Sequence, residues 1–415
     1  MPSMFFDMLL YCASQAEPCT LDQGCSWLGK VYGLEIKKQS LDERFNLDAI
    51  TFAKEVLKQA LEKQLNNIFE TRFLPGFKSI RIKDGTRFNL SANLYKYYKG
   101  TGGSEGTSNA ALCIQFEYDA LNGKVLTLEI TDGIRNDYTD AKETVSRVDM
   151  GDLIIRDLGY YSLPTLSKFD SAGAFFISRL GVKTNVYEQG KEKEISFKEL
   201  YNDMVRTKMS CIEMDIFAGK KERMPVRLII AIVPDEIYEK RIRKAEKNNK
   251  ERGYNISDDY KERCRFNLFI TNVKPDVLSK DEILVLYKLR WQIELMFKNW
   301  KSVFKIDKIQ EMKYERFTCI LVAKLILIVV NLQIIWNLKA YYYAKKKKIL
   351  SMFKCFKTLL KEFTTVYGIL KKKRKESMKF LQEIVELFSE NHWKEKRKNR
   401  TNYEDILDLF ICKSV

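Results

Sequence analysis

The sequence predicts a mixed α/β fold, an open sheet covered by helices with mainly helical regions at both ends of the chain. Three observations predict it. Apolar residues recur at helical spacing up to about residue 75, alternate from Phe77 onward, and return to helical spacing in the last third of the chain. Turn signals bound the alternating runs. A length of 415 residues, 45% of them hydrophobic and 31% charged, gives ample material for a large core and is unlike a disordered chain.

Residues 1–75 read as helical. Gly33 breaks the helical pattern, and Ser40 with Glu43 reads as an S-x-x-E capping box opening a second long helix. Lys37 and Lys38 near that start would suit a helix-turn-helix DNA reader; a plain helical hairpin is the simpler reading. Residues 76–182 carry the strands "FKSIRIKDGT", "ALCIQFEY" and "KVLTLEITDG", then a polar helical connection, then "GDLIIRDLGYYS" and "AGAFFISRL". Residues 183–275 read as a β-rich insertion, with "SCIEMDIFAG", "VRLIIAIV" and "FNLFITNV" as strands and one charged helix in "PDEIYEKRIRKAEKNNKERG". A helix containing "YKLRWQIELMFKNWK" dominates residues 276–310, and basic helices fill residues 311–415. Within the latter, "CILVAKLILIVVNLQIIW" imitates a membrane span. Lys324, Asn331 and Gln333 interrupt it and no second such stretch exists, so a buried helix and no membrane partner are expected.

The net charge of +17 points to a polyanionic partner, nucleic acid or an anionic membrane surface. Residues 310–415 hold 23 Lys plus Arg against 11 Asp plus Glu, a surplus of 12 that includes Lys345–Lys348 and Lys371–Lys375. The nine cysteines are scattered without a CxxC pair, which argues against zinc and for reduced thiols in a cytoplasmic protein. "MPSMFFDMLLYCAS" lacks a basic start and is interrupted by Asp7, unlike a secretory leader. The single histidine, His392, makes histidine-based catalysis improbable, so any chemistry falls to carboxylates, Lys, Cys or an oxygen-bound metal.

One helix supplies a starting point. At 100° per residue, Tyr287, Arg290, Glu294 and Lys301 fall in a stripe about 60° wide and roughly 20 Å long. Leu289, Ile293, Met296, Trp300, Val303 and Phe304 form a separate apolar flank. A surface salt bridge explains Arg290 with Glu294 but not the whole line. A phosphate-contacting stripe explains all four, provided the acid has a metal. Partners for that acid are sought at strand ends. Asp84 continues the side of Ile80 and Ile82, and Asp157 that of Leu153 and Ile155. Carboxylates on a buried strand face are costly unless paired or metal-bound. Asp84 also sits in a "DG" turn signal, Asp132 reads as a simple turn and Asp152 precedes its strand. Asp84, Asp157 and Glu294 together make an all-oxygen donor set suited to Mg²⁺ or Mn²⁺. Two such ions about 3.5–4 Å apart activate a water or a 3′-hydroxyl at a phosphodiester.

Tyr287-x2-Arg290-x3-Glu294-x6-Lys301 resembles the Y-R-E-K signature of bacterial insertion-sequence transposases of the DDE type, most closely the insertion sequence 4 family. "RIKDGTRFNL" resembles the block around the first catalytic Asp, "GDLIIRDLGYYS" with "GAFFISRL" the second, and "FITNV" before the helix the third. "YKGTGGSEG" resembles the glycine-rich segment after the first block. The resemblance runs from about Phe77 to Lys301. It implies an RNase H-like mixed sheet with a β-rich insertion, a helical end-binding domain in front, and two divalent ions held by Asp84, Asp157 and Glu294. It implies that Tyr287, Arg290 and Lys301 contact double-stranded DNA near the cleaved end. A homodimer on DNA is expected, with the basic C-terminal helices binding DNA or the second subunit. Trp291 reads as structural. A catalytically silent DNA-binding inhibitor derived from a transposase is the alternative.

Overall fold

The computed structural model describes residues 2–64, 76–101, 109–190, 193–250, 255–363, 374–395 and 406. Residues 102–106 of the glycine-rich segment, Lys371–Lys373 and Cys412 lie outside these. The strands are β1 (Ser79–Asn89), β2 (Ala111–Asp119), β3 (Val125–Asp132), β4 (Asp152–Arg156), β5 (Phe175–Arg179), β6 (Val186–Glu188), β7 (Cys211–Ala218), β8 (Met224–Ile232) and β9 (Phe266–Thr271). They form one mixed sheet in the order β3-β2-β1-β4-β5-β9-β8-β7-β6. The pairs β1–β4 and β4–β5 are parallel and all others antiparallel.

Strand β1 runs past the point where "DG" signalled a turn. Asp84 faces Phe116 and Gly85 faces Gln115 in unbroken antiparallel register with β2. Glycine serves there for close approach, since a Cβ would stand 3.1 Å from Gln115 and 3.2 Å from Cys113. The strands of residues 183–275 do not make a sheet of their own. β9 pairs with β5 and carries β8, β7 and β6 outward as an extension of the same sheet. Alternation reveals a strand but not its neighbour, which is why the continuity was not legible.

Four helices precede the sheet: α1 (Pro2–Ser14), α2 (Leu21–Tyr32), α3 (Lys38–Glu43) and α4 (Leu47–Glu62). Gly33 ends α2 in the left-handed conformation at φ 64°. Ser40 opens nothing, because it lies inside the short α3; the long helix α4 is opened by Asn46, whose side chain accepts from the Ala49 amide. Between strands run α5 (Asp137–Glu143), α6 (Leu163–Ser171), α7 (Phe197–Arg206), α8 (Asp235–Lys250) and α9 (Asp258–Cys264). Helices α7 and α9 were not anticipated. Ser196 and Ser257 cap them, accepting from the amides of Glu199 and Tyr260, and Ser196-x-x-Glu199 was a readable start signal.

The chain closes with α10 (Lys280–Tyr287), α11 (Trp291–Ser302), α12 (Tyr314–Lys346), α13 (Met352–Lys361) and α14 (Arg374–Asn391). Helix α12 contains the membrane-like stretch and is long and apolar enough to cross a bilayer, yet 78% of its most apolar window is buried inside the protein. It packs against α1 and α4 on one side, and its Trp336 lies beside Tyr118 of the sheet. Its buried Lys324 donates to the carbonyls of Phe304 at 2.9 Å and Lys305 at 3.1 Å, capping the chain just after α11. Burial pushes that ammonium down to about 8.

The β2–β3 turn is tied to the same helix. Gly123 sits at φ 69°, and a Cβ there would collide with the Trp336 indole. Gly123→Ala should therefore destabilise the protein by about 1–3 kcal/mol, read as a lower urea midpoint. An unchanged midpoint would mean the turn and indole move apart freely.

Candidate active site

Parallel pairing brings the two aspartates together. β1 and β4 match Ile82 with Ile155 and Lys83 with Arg156, so the next step sets Asp84 beside Asp157. Asp84 lies within β1, and Asp157 follows β4 as the first residue of a 3-10 turn over Leu158–Tyr160. Both continue the sheet face of Ile80, Ile82, Leu153 and Ile155, all fully buried. Of the rivals, Asp152 is held by Arg81 at 2.9 Å, and Asp132 ends β3 opposite Leu112, across β2 and β1 from Asp157.

Helix α11 brings the glutamate to the same end of the sheet. Ile293, Met296 and Trp300 are buried, and the Trp300 ring meets Phe116 of β2 edge-on at 4.8 Å. The stripe of four residues is not carried by one helix, however. α10 stops at Tyr287, Lys288–Arg290 form a 3-10 turn, and α11 begins at Trp291. The tighter winding places Leu286 and Leu289, three residues apart and both fully buried, on the same side. It also turns Tyr287 toward the sheet. Its hydroxyl donates to the Arg156 carbonyl at 3.4 Å, its ring lies 4.8 Å from Phe269, and burial pushes the phenol up to about 12. Trp291 is not structural in the sense expected: it is 52% exposed on the first turn of α11.

Arg290 links the acids. Its Nη2 lies 2.7 Å from Glu294 Oε1 and its Nε 3.7 Å from Asp157 Oδ1. Asp84 and Glu294 line an open cleft of about 530 Å³ together with Gly85, Phe297, Lys298, Lys301 and Ser302. Asp157 is not part of that lining and meets the others through Arg290. Lys301 donates from Nζ to the Arg87 carbonyl at 3.3 Å, at the cleft margin. Asp84 accepts from the Gly85 amide at 2.8 Å and makes no ion pair among the described residues. Burial raises its carboxyl to about 6; Asp137 and Asp157 push the same way, against the Gly85 amide and Arg290. Among the described residues, no three Asp, Glu, His or Cys side chains are grouped closely enough to hold a metal ion.

Residues 75–331 match the family described as Transposase DDE domain. The chain belongs to that family. It is 30% identical over 409 residues to the transposase for insertion sequence element IS231E of Bacillus thuringiensis subsp. finitimus, covering 93% of this chain and 84% of the relative. The transposase for insertion sequence element IS1151 of Clostridium perfringens is 29% identical over 414 residues, covering 95% of this chain and 87% of the relative. The transposase-family match ends at Asn331, within α12.

The reverse face of the sheet in this transposase-family chain holds charges that sequence reasoning missed. Glu117 is buried between Arg81 at 2.9 Å and Arg156 at 3.0 Å. Lys83, also fully buried, pairs with Asp140, which pairs with Arg135 at 3.0 Å. The available signal was the strict alternation Ile80-Arg81-Ile82-Lys83, which places cations on whichever face the isoleucines leave. These pairs fix β1, β2 and β4 from behind the two aspartates.

The raised Asp84 carboxyl makes a stability prediction. Its folded value, about 6, lies above the unfolded value of about 3.9. The folded state therefore holds the proton longer, and stability falls as pH rises from 4 through 6. In metal-chelating buffer, Asp84→Asn should be more stable than the parent by about 1–3 kcal/mol at pH 7, with the gap closing near pH 4. Urea titrations at the two pH values check it; equal stabilities at pH 7 would refute it.

Proposed function

We propose that this chain is an insertion-sequence transposase. It binds the terminal inverted repeats of its element, cleaves the ends by metal-dependent phosphodiester hydrolysis and joins them to target DNA by strand transfer. The observation that carries the reading is the parallel register of β1 with β4, which ends at Lys83 opposite Arg156, one residue before Asp84 and Asp157, with Glu294 tied to Asp157 through Arg290. The relatives' names, transposases for insertion sequence elements, support it. Tyr287, Arg290, Glu294 and Lys301 are the Y-R-E-K set on this reading, and the sheet is the RNase H-like core of an insertion sequence 4 type enzyme.

The donor chemistry fits hard divalent cations. Asp84, Asp157 and Glu294 offer only carboxylate oxygen, Asp84 makes no ion pair among the described residues, and Arg290 supplies the positive charge between the other two. Two Mg²⁺ ions, with Mn²⁺ able to substitute, would supply Lewis acidity for a water or 3′-hydroxyl nucleophile and for the leaving oxygen. With the carboxylates on cations, Arg290 would be free to meet a phosphate, Lys301 would meet another, and Tyr287 would brace the Arg290 turn. Residues 1–75 read the element ends, two copies pair on DNA, and the protein works in the cytoplasm at the nucleoid. The silent-inhibitor alternative is disfavoured, because the chain keeps all three acids and its relatives are named as transposases.

The test is incubation of purified protein with Mg²⁺ and DNA bearing the inverted repeats that flank its reading frame. Cuts at the element ends that leave 3′-hydroxyls are expected. Binding of those ends without cutting in either Mg²⁺ or Mn²⁺ would overturn the enzyme reading.

A further inference from the structure

A second reactive group lies in the N-terminal helices, away from the acids. Cys12 belongs to the last turn of α1, and Cys19 lies in the turn before Thr20, the cap of α2. Their Sγ atoms are 2.8 Å apart, with Cys12 donating to Cys19. A disulfide bond is about 2.05 Å long, so under 1 Å of movement closes the pair. Both partners are held. Cys12 is buried with its Sγ 3.5 Å from Met8 Sδ, and the Thr20–Gln23 capping box fixes the chain next to Cys19.

We propose that Cys12 and Cys19 form a modification site, a dithiol that hydroperoxides oxidise to an intramolecular disulfide. Cys19 is the attacking sulfur, since it is partly exposed whereas Cys12 faces the core. The hydrogen bond from Cys12 lowers the Cys19 thiol and raises the Cys12 thiol. The Cys19 thiolate attacks one peroxide oxygen. A sulfur–oxygen bond forms, the oxygen–oxygen bond breaks, and the departing hydroxide, or alkoxide from an organic hydroperoxide, takes a proton from solvent and leaves as water or alcohol. Cys12 then loses its proton and attacks the Cys19 sulfur. The sulfur–sulfur bond forms and the second oxygen leaves as water. Two thiols are oxidised and one hydroperoxide is reduced.

The surroundings favour closure over further oxidation. The pair lines a small cavity together with Lys308, Lys324 and the apolar side chains of Ile306, Ile309, Met312 and Phe317. Cys19 is the more exposed thiol and its resolving partner is already in contact, so closure needs no second encounter. Cys25, on α2, is partly exposed, makes no hydrogen bond to another sulfur among the described residues, and serves as the comparator.

The test uses the full chain treated with hydrogen peroxide, quenched with a thiol-alkylating reagent and cleaved before Asp7 and Asp22, which separates Cys12 and Cys19 from Cys25. The expected product is the 7–21 peptide carrying Cys12 and Cys19, unalkylated and lighter by about two hydrogens, and it is reversed by dithiothreitol. It should vanish in Cys19→Ser, a substitution at a partly exposed site, and persist in Cys25→Ser. Sulfinic acid at Cys19 with Cys12 still alkylated, or a disulfide running through Cys25, would overturn the proposal. So would alkylation of both thiols after peroxide treatment. None of these readouts depends on the proposed transposition activity.

Discussion

Cleavage of element-end DNA by Glu294→Gln is expected to fall by about 10³-fold or more, while end binding stays within a few-fold of the parent. A thousandfold loss is about 4 kcal/mol of transition-state stabilisation. The amide keeps the size and the helix but removes the charge that Arg290 and the proposed cations share. Folding should survive, because Glu294 is only partly buried and Arg290 retains Asp157 at 3.7 Å. Single-turnover cleavage with a gel-shift control separates the effects. Full cutting by the variant would remove Glu294 from the chemistry; lost binding alongside lost cutting would assign it to DNA grip or folding instead.

Glu117→Leu should cost about 3–5 kcal/mol of stability at pH 7, because it strands the buried guanidinium of Arg156 and leaves Arg81 with Asp152 and the Arg147 carbonyl. The parent should show a matching acid dependence. Burial alone would raise the Glu117 carboxyl, but Arg156 and Arg81 outweigh it and hold the group down at about 2. Its contribution is thus complete above the unfolded value of about 4.3 and is lost as pH falls through about 2. Urea denaturation followed by tryptophan fluorescence measures both. A cost below about 1 kcal/mol would mean that the reverse face tolerates unpaired cations.

These two residues also mark how far the sequence can be read. Glu294 was legible because helical spacing set it on a line with Arg290, and that four-residue step survives in the structure. Asp84 and Asp157 were legible as carboxylates continuing apolar strand faces, even though the turn signal at Asp84-Gly85 pointed the other way. Nine register pairs with β2 override a local glycine preference. The 3-10 turn at Lys288–Arg290 was not legible, since apolar spacing does not distinguish it from a continued α-helix. Glu117 was not legible at all. It lies in "ALCIQFEY", and only the pairing of β2 with β1 and β1 with β4 shows that its face is covered and that two arginines meet it. Pairing partners, rather than periodicity, carry that information.

The place of α12 bears on the order in which the protein comes off the ribosome. Helices α1 and α4 bury their apolar sides against α12, yet α4 ends at Glu62 and α12 begins only at Tyr314. At about 5–20 residues per second, roughly 10–50 s separate the synthesis of the two. During that interval Ile50, Ala53 and Leu57 have no α12 to cover them. The first helices made are thus among the last to find their place, and a ribosome that stalls before residue 314 releases a chain with its N-terminal apolar surface still open.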